Sequence, residues 1–241
     1  MLLATMLLVL VGCAMVTPQQ TRRAPTPAAP IQSPAATAPA QPTPSREAET
    51  IDRATSEPYI GDLSIFESPK REKNLQINRV MDLLGVREGS SVADIGAGSG
   101  WFTVRAARRV GEGGAVYAVE INPDYVKHIE TRAEKEKLAN IRAVLGKEDD
   151  PLLPTGSVDA VLVLKTYHEI AQPVRVLTRL RTAMRTGARL GVIDRNGSGD
   201  DHGVKRDTVV AEAAQAGFAL VDEYDFVKPD GMDYFLIFRA R

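Results

Sequence analysis

Hydrophobic and polar positions alternate between two spacings from residue 71 to the end of the chain. Leu75, Val80, Leu83 and Leu84 recur near helical intervals among charged residues, which predicts an amphipathic helix over 71–84. Beyond it, short apolar runs of strand length alternate with longer amphipathic segments, and Gly and Pro separate many of them. The predicted strands are 91–95, 115–120, 141–145, 159–164 and 189–194, and the predicted helices are 101–109, 122–138, 173–184 and 205–216.

The last part of the chain departs from this alternation. Two strand patterns, 218–227 and 234–239, flank the turn Pro229-Asp230-Gly231 with no helix between them, so we expect an antiparallel hairpin. Strands that alternate with helices predict a mainly parallel sheet with right-handed crossovers. The expected fold is therefore α/β, a doubly wound seven-stranded sheet with a C-terminal hairpin. Ligands of such sheets bind beyond the C-terminal strand ends.

The N-terminal residues have a pattern of their own. An almost unbroken apolar run, Leu2–Val11, is too short to span a membrane but has the length of a signal-peptide core. It leads into Leu10-Val11-Gly12-Cys13, which resembles the lipobox of bacterial lipoproteins, although no Lys or Arg precedes the run. The resemblance implies a signal peptide over 1–13, a lipidated Cys13 and a domain anchored to the periplasmic or another extracytoplasmic membrane face. The alternative is an ordinary apolar N-terminus in a cytoplasmic protein.

Composition separates a tether from a folded domain. Residues 14–56 are rich in Pro, Ala and Thr and hold few large apolar residues, which predicts a disordered tether before a domain over 57–241. The formal net charge is -1, so no general excess of positive charge attracts a nucleic acid, and we expect none as partner. The single cysteine excludes an internal disulfide and a cysteine-based zinc site, and no metal site is expected.

A glycine-rich loop follows the first predicted strand. Gly96, Gly98 and Gly100 are spaced two apart, and Asp94 precedes them. Glycine lets a strand turn sharply into a helix while the backbone approaches a ligand closely, and the helix N-terminus suits an anionic group. A dinucleotide-binding loop needs a further glycine at the sixth position, where this chain has Trp101.

This stretch closely resembles motif I of the class I S-adenosylmethionine-dependent methyltransferases, and the resemblance extends over about 71–241. The seven-stranded sheet with its terminal hairpin is also the fold of that family. The resemblance implies that Gly96, Ala97, Gly98 and Gly100 hold the methionine part of S-adenosylmethionine. It also implies that Asp94 helps to bind the amino group of this cofactor.

Further residues complete the expected cofactor site. Glu120 ends the second predicted strand, where an acid accepts hydrogen bonds from ribose hydroxyls, and Ile121 follows it. Nicotinamide enzymes share this acid, so it indicates an adenosine ligand without choosing between the cofactors. Family members often place an acid after Gly146, where this chain has Lys147. The contact to adenine is therefore expected from Glu148, from Asp149 or from backbone alone.

The end of the fourth predicted strand reads Leu164-Lys165-Thr166-Tyr167-His168-Glu169. In the family, residues here face the transferred methyl group and its acceptor. The resemblance therefore implies that Lys165 belongs to the cofactor site and that Tyr167 and His168 belong to the acceptor site. Histidine can take a proton from an acceptor near neutral pH, which makes His168 a candidate base. The alternative is that His168 caps the next helix or only lines the cleft.

The expected activity is transfer of a methyl group from S-adenosylmethionine to an unidentified small-molecule acceptor. Two other classes of protein remain open at this point. One is a non-catalytic lipoprotein that binds S-adenosylmethionine or a nucleotide, because supply of this cofactor outside the cytoplasm is doubtful. The other is an NAD-dependent oxidoreductase, which Trp101 and the terminal hairpin disfavour. The sequence predicts no oligomeric state.

Overall fold

Seven strands form one sheet in the computed structural model, which describes residues 55–198 and 201–241. The strands are β1 (Ser91–Ile95), β2 (Ala115–Glu120), β3 (Ile141–Leu145), β4 (Val158–Leu164), β5 (Met184–Arg195), β6 (Phe218–Tyr224) and β7 (Asp233–Ala240). The helices are α1 (Lys70–Leu75), α2 (Ile77–Leu84), α3 (Trp101–Val110), α4 (Pro123–Lys135), α5 (Pro173–Ala183) and α6 (Arg206–Gln215). Leu63–Glu67 and Tyr167–Glu169 form 3₁₀ helices. The expected signal peptide 1–13, with Cys13, and the expected tether as far as residue 54 lie outside the described residues.

The strand order confirms the predicted fold. It is β3-β2-β1-β4-β5-β7-β6. The first five strands pair parallel with one another, whereas β7 pairs antiparallel with both β5 and β6. The chain passes from β1 to β2 on one side and later to β4 on the other. The connections therefore diverge at the carboxyl end of β1, where sheets of this type open a ligand crevice.

Apolar side chains cover both faces of the sheet. On one face Leu162 and Phe235 pack with Trp101 and Phe102 of α3, and with α1 and α2. On the other face the cluster includes residues of α5 and α6, among them Leu177. A strand that is buried on both faces is apolar at successive positions, which explains the continuous runs in the sequence. Among the described residues, no helix has the length and apolar character to cross a membrane.

Some predicted boundaries differ from the structure. The helix predicted over 71–84 is interrupted at Gln76, which has left-handed backbone angles (φ 47°, ψ 48°) and donates a side-chain hydrogen bond to the Phe226 carbonyl at 3.2 Å. Strand β5 begins at Met184 rather than at residue 189, because Met184 pairs with Val158 beside an irregularity in β4. Both features depend on contacts with distant residues, which local periodicity does not encode.

Candidate active site

A cleft of about 960 Å³ lies at the carboxyl ends of β1, β2 and β4. It lies at the switch point of the sheet, where the chain connections diverge. The residues predicted for the site fall into two sets. The cleft is lined by Asp94, Gly96, Ala97, Gly98, Glu120, Ile121, Glu148, Lys165 and His168. Its lining does not include Gly100, Asp149 or Tyr167.

The glycine loop has the left-handed backbone that its sequence predicts. Gly96, Gly98 and Gly100 have φ angles of +67°, +55° and +75°. At Gly96 a Cβ atom would lie 2.2 Å from the Thr166 side chain, so the loop also needs glycine for its close packing against the end of β4. Gly100 caps the N-terminus of α3 rather than lining the cleft. It shapes the loop without facing a ligand there.

Three amide N–H groups of this loop already have protein acceptors. Gly96 and Ala97 both donate to the Val119 carbonyl, at 2.9 and 3.1 Å. Gly98 donates to Glu120 Oε1 at 2.6 Å. A dinucleotide pyrophosphate is bound through free N–H groups at such a loop. The loop therefore suits a pyrophosphate poorly.

Acidic groups line the cleft beside the loop. Burial raises the pKa of Asp94 to about 7, with a further increase from Glu120 and opposing effects from a Thr103 hydrogen bond and from Arg71. Its Oδ2 accepts the Thr103 hydroxyl at 2.6 Å. Burial also raises the pKa of Glu120, although backbone N–H donors at Gly98 and Ile121 oppose this effect. Carboxylates desolvated in this way favour a cationic ligand, because positive charge stabilises their ionised forms.

Glu120 joins the second strand to the glycine loop. Its Oε1 accepts the Gly98 N–H, and its Oε2 accepts the Ile121 N–H at 3.1 Å. An ionised carboxylate has about four acceptor sites, so capacity for ribose hydroxyls remains. Ile121, with 42% of its surface exposed, offers an apolar contact at the rim. This arrangement fits the predicted adenosine contact.

The two candidates for the adenine contact separate in the structure. Glu148 lines the cleft, as does the neighbouring Lys147. Asp149 instead lies 3.0 Å from Arg175 in an ion pair with α5. The tertiary structure therefore leaves Glu148 as the acid of this segment that faces the cleft.

His168 lines the cleft, and the carboxylate of Asp194 contacts its ring. The residue is only 5% exposed, and its Nδ1 lies 2.9 and 3.0 Å from the two carboxylate oxygens of Asp194. Its Nε2 lies 3.8 Å from Glu169 Oε1. The ring of His202 stands edge to face with it at a centroid distance of 6.0 Å. Burial raises the pKa of Glu169 to about 7, so this acid readily exchanges protons near neutral pH.

Tyr167 and Lys165 make other contacts. Tyr167 is fully buried among the residues on the α5 and α6 side of the sheet, and its hydroxyl donates to Glu212 at 2.8 Å. Its expected place in the acceptor site is therefore not what the structure shows, because the 3₁₀ turn directs adjacent side chains to different sides. Lys165 lines the cleft, and its ammonium group forms an ion pair with the buried Asp233.

Sequence reasoning missed the segment from Thr55 to Phe66, which also lines the cleft. Ser56 is buried and donates its N–H to the His168 carbonyl at 3.3 Å, so the folded domain begins before residue 57. The Tyr59 and Phe66 rings contact each other at 5.4 Å. These two aromatic residues, which come soon after the Pro- and Ala-rich stretch, are the sequence feature that could have indicated an ordered segment here. Asp194 was also missed, because an acid at the end of β5 is significant only beside His168.

Glu67, at the end of this segment, connects it to the domain beneath. Its carboxylate accepts hydrogen bonds from the Ser99 hydroxyl and from Arg132, both at 2.6 Å. Arg132 also donates to the Ser99 carbonyl at 2.8 Å. These contacts fix the segment to the glycine loop and to α4.

The sheet order is that of the class I S-adenosylmethionine-dependent methyltransferase fold. The glycine loop and the acids Asp94 and Glu120 line the cleft at the edge of the sheet where the sequence resemblance expects the cofactor. Residues 92–187 match the family described as a methyltransferase domain. This part of the chain is therefore similar to a methyltransferase domain. Within residues 55–198 and 201–241, no group of His, Cys, Asp and Glu is arranged to hold a metal ion.

Particular proteins resemble the chain. It is 31% identical over 114 residues to nocamycin O-methyltransferase of Saccharothrix syringae, a match that covers 47% of this chain and 41% of that protein. The chain thus spans less than half of that relative's length. A SAM-dependent methyltransferase from Aquifex aeolicus has a TM-score of 0.68 and 22% identity, covering 76% of this chain and all of that one. The [4+2]-cyclase SpnF has a TM-score of 0.60 and 15% identity, covering 78% and 87%. At 22% and 15% identity, these two structures show only that the chain shares their fold.

Proposed function

We propose that this protein transfers the methyl group of S-adenosylmethionine to a small-molecule acceptor. The observation that carries the proposal is the chemistry of the cleft beside the glycine loop. Its loop N–H groups are occupied by Val119 and Glu120, whereas the desolvated acids Asp94 and Glu120 face the ligand space. This arrangement suits a ligand with a sulfonium and an ammonium group better than it suits a pyrophosphate.

Different residues of this chain would bind different parts of S-adenosylmethionine. Asp94 would bind the ammonium group of the methionine part, which would lie against the Gly96–Gly98 backbone, and Glu120 would accept hydrogen bonds from the ribose. The bound cofactor supplies a methyl group that is already activated on a positively charged sulfur. The protein therefore mainly positions the reactants and excludes water. The segment Thr55–Phe66 supports exclusion of water, because it lines the cleft through Tyr59 and Ile60.

His168 is proposed to take the proton that the acceptor loses. It lines the cleft at the end of β4, and its ring is held by Asp194 at 2.9 Å. Tyr167 is not part of this proposal, because its hydroxyl is bonded to Glu212 in the core. Glu169, beside Nε2, adds a second group that can exchange protons with solvent.

Calorimetry of the full chain tests the cofactor assignment. We expect S-adenosylhomocysteine to bind and NAD to give no measurable heat. Glu120→Ala should weaken the binding of S-adenosylhomocysteine by roughly 5- to 150-fold, because a ribose hydroxyl and the Gly98 N–H lose an acceptor, which costs about 1–3 kcal/mol.

Glu130→Ala provides the matched control, because Glu130 is an exposed acid on α4 outside the cleft lining. It should leave the affinity unchanged. Tight binding of NAD without binding of S-adenosylhomocysteine would overturn the assignment, and unchanged affinity in Glu120→Ala would remove that residue from the site.

We further propose that the chain is a lipoprotein anchored to a membrane through Cys13. The proposal rests on Leu10-Val11-Gly12-Cys13 after an apolar run of signal-peptide length. Metabolic labelling with a fatty acid should mark the wild type and leave Cys13→Ser unlabelled. Equal labelling of the two proteins, or a wild type found soluble in the cytoplasm, would show that the lipobox resemblance is accidental.

A further inference from the structure

Asp194 has a buried carboxylate that contacts the ring of His168. It lies near the end of β5, neighbour of β4 in the sheet, and is 0% exposed. Its Oδ2 accepts the backbone N–H of His168 at 3.1 Å, and its Oδ1 accepts the N–H of Arg195 at 2.7 Å. Both oxygens lie within 3.0 Å of His168 Nδ1. The carboxylate therefore has fixed orientation and faces the imidazole edge.

This contact determines which nitrogen of the ring carries the proton. A carboxylate that receives backbone N–H groups acts as a hydrogen-bond acceptor, so it requires a donor at Nδ1. In the neutral ring the other nitrogen, Nε2, then has the free electron pair. In the described part of the chain, the acid recorded beside Nε2 is Glu169 at 3.8 Å, beyond hydrogen-bond distance. Nε2 is thus left able to accept a proton.

We propose that Asp194 is a positioning residue that holds His168 in the Nδ1–H tautomer, so that Nε2 deprotonates an acceptor bearing a neutral hydroxyl group. The inference rests on the proposed methyl transfer. An acceptor that reacts without losing a proton, such as a tertiary amine, needs no base of this kind. A neutral hydroxyl group depends on a base most, because its oxygen is a weak nucleophile until the proton leaves, whereas a free amine is already nucleophilic and a thiol ionises closer to neutral pH.

The step balances in atoms and charge. A lone pair of the hydroxyl oxygen forms the new C–O bond to the methyl carbon, and the C–S bond breaks with its electron pair remaining on sulfur. The hydroxyl proton moves to Nε2 of His168. The resulting positive charge is stabilised by Asp194 at Nδ1. Among the residues that the structure describes, Glu169 and His202 are further titratable groups beside the ring.

Nitrogen-15 NMR of the full chain tests the tautomer directly. The chain has only three histidines, so His128→Gln and His202→Gln identify the His168 signals by elimination. When the ring of wild-type His168 is neutral, we expect the Nδ1–H form to exceed the Nε2–H form by about tenfold or more. The reason is the charge-assisted hydrogen bond from Nδ1–H to the Asp194 carboxylate. Asp194→Asn should lower this ratio at least tenfold, because an amide can also donate to Nδ1.

Glu169→Gln is the matched control. It neutralises the other acid beside the same ring and should not lower the tautomer ratio, since an acid on the Nε2 side favours a proton at Nε2 and not at Nδ1. A wild-type His168 in the Nε2–H form would overturn the inference even if the Asp194 variant failed to fold. So would a ratio that Asp194→Asn does not change.

Phenol, the smallest aromatic hydroxyl, serves as probe for the acceptor class. We expect phenol to shift the Nε2 signal of the wild type through an O–H to Nε2 hydrogen bond, whereas anisole, which lacks the proton, should not. No response to phenol, or equal responses to both, would overturn the hydroxyl assignment. Absence of binding to S-adenosylhomocysteine in calorimetry would instead refute the proposed function, so the two failures are distinguishable.

Discussion

Replacing His168 with alanine is expected to slow methyl transfer by roughly a hundredfold or more, the usual contribution of a positioned base. His168 lines the cleft and its imidazole is held by Asp194 at 2.9 Å, so removal of the ring leaves the acceptor proton without its proposed recipient. Turnover would be measured as transfer of radiolabelled methyl groups to a hydroxyl acceptor found by screening. Affinity for S-adenosylhomocysteine should barely change, because the proposed cofactor contacts lie at the glycine loop and Glu120.

His128→Ala is the control for this experiment. His128 is exposed on α4 and does not line the cleft, so its loss should leave both turnover and cofactor affinity as in the wild type. If His168 only shaped the cleft, the variant would lose acceptor affinity and keep nearly normal turnover. That outcome would contradict the proposed role of His168 as a base.

Gly96→Ala should weaken the binding of S-adenosylhomocysteine by roughly tenfold or more. Two effects combine at this position. The backbone has φ +67°, which costs a non-glycine residue about 1–2 kcal/mol, and the new Cβ would lie 2.2 Å from Thr166 Cγ2. The clash would displace the loop that also places Ala97 and Gly98 at the cleft. Calorimetry of the purified variant measures the affinity, and thermal unfolding measures the change in stability.

Gly89→Ala separates backbone strain from displacement of the loop. Gly89 has φ +78°, and a Cβ added there would meet no atom within 4 Å. It also lies outside the cleft lining, so alanine at this position should cost stability and leave cofactor affinity unchanged. Adding Thr166→Ala to Gly96→Ala should restore part of the lost affinity, because the clash with Cγ2 disappears. Equal losses of affinity in the Gly96 and Gly89 variants would show that general destabilisation, not the loop, is responsible.

The cofactor half of the site could be predicted because its signals are local. Gly96, Gly98 and Gly100 need positive φ, and glycine is the residue that meets this need at little cost. Glu120 ends a strand that the apolar pattern identifies and Asp94 is the next-to-last residue of another, and parallel strands bring their carboxyl ends to one edge. Both acids line the cleft in the structure.

The acceptor half could not be predicted to the same depth. Tyr167 and His168 are adjacent in sequence, yet the 3₁₀ turn sends one into the core beside Glu212 and the other towards the cleft. The sequence makes Asp149 and Glu148 equal candidates for the adenine contact, but in the structure Asp149 forms an ion pair with Arg175 of α5. In each case a partner distant in sequence decides the direction of the side chain.

The sequence by itself determined the order of strands and helices, the parallel sheet with its terminal hairpin and the place of the glycine loop. These follow from periodicity and from backbone preferences, which are properties of neighbouring residues. Only the tertiary structure decided that Ser56 belongs to the domain and that Asp194 holds His168. These pairs lie far apart in the chain and meet through sheet pairing and packing, so no local pattern records them.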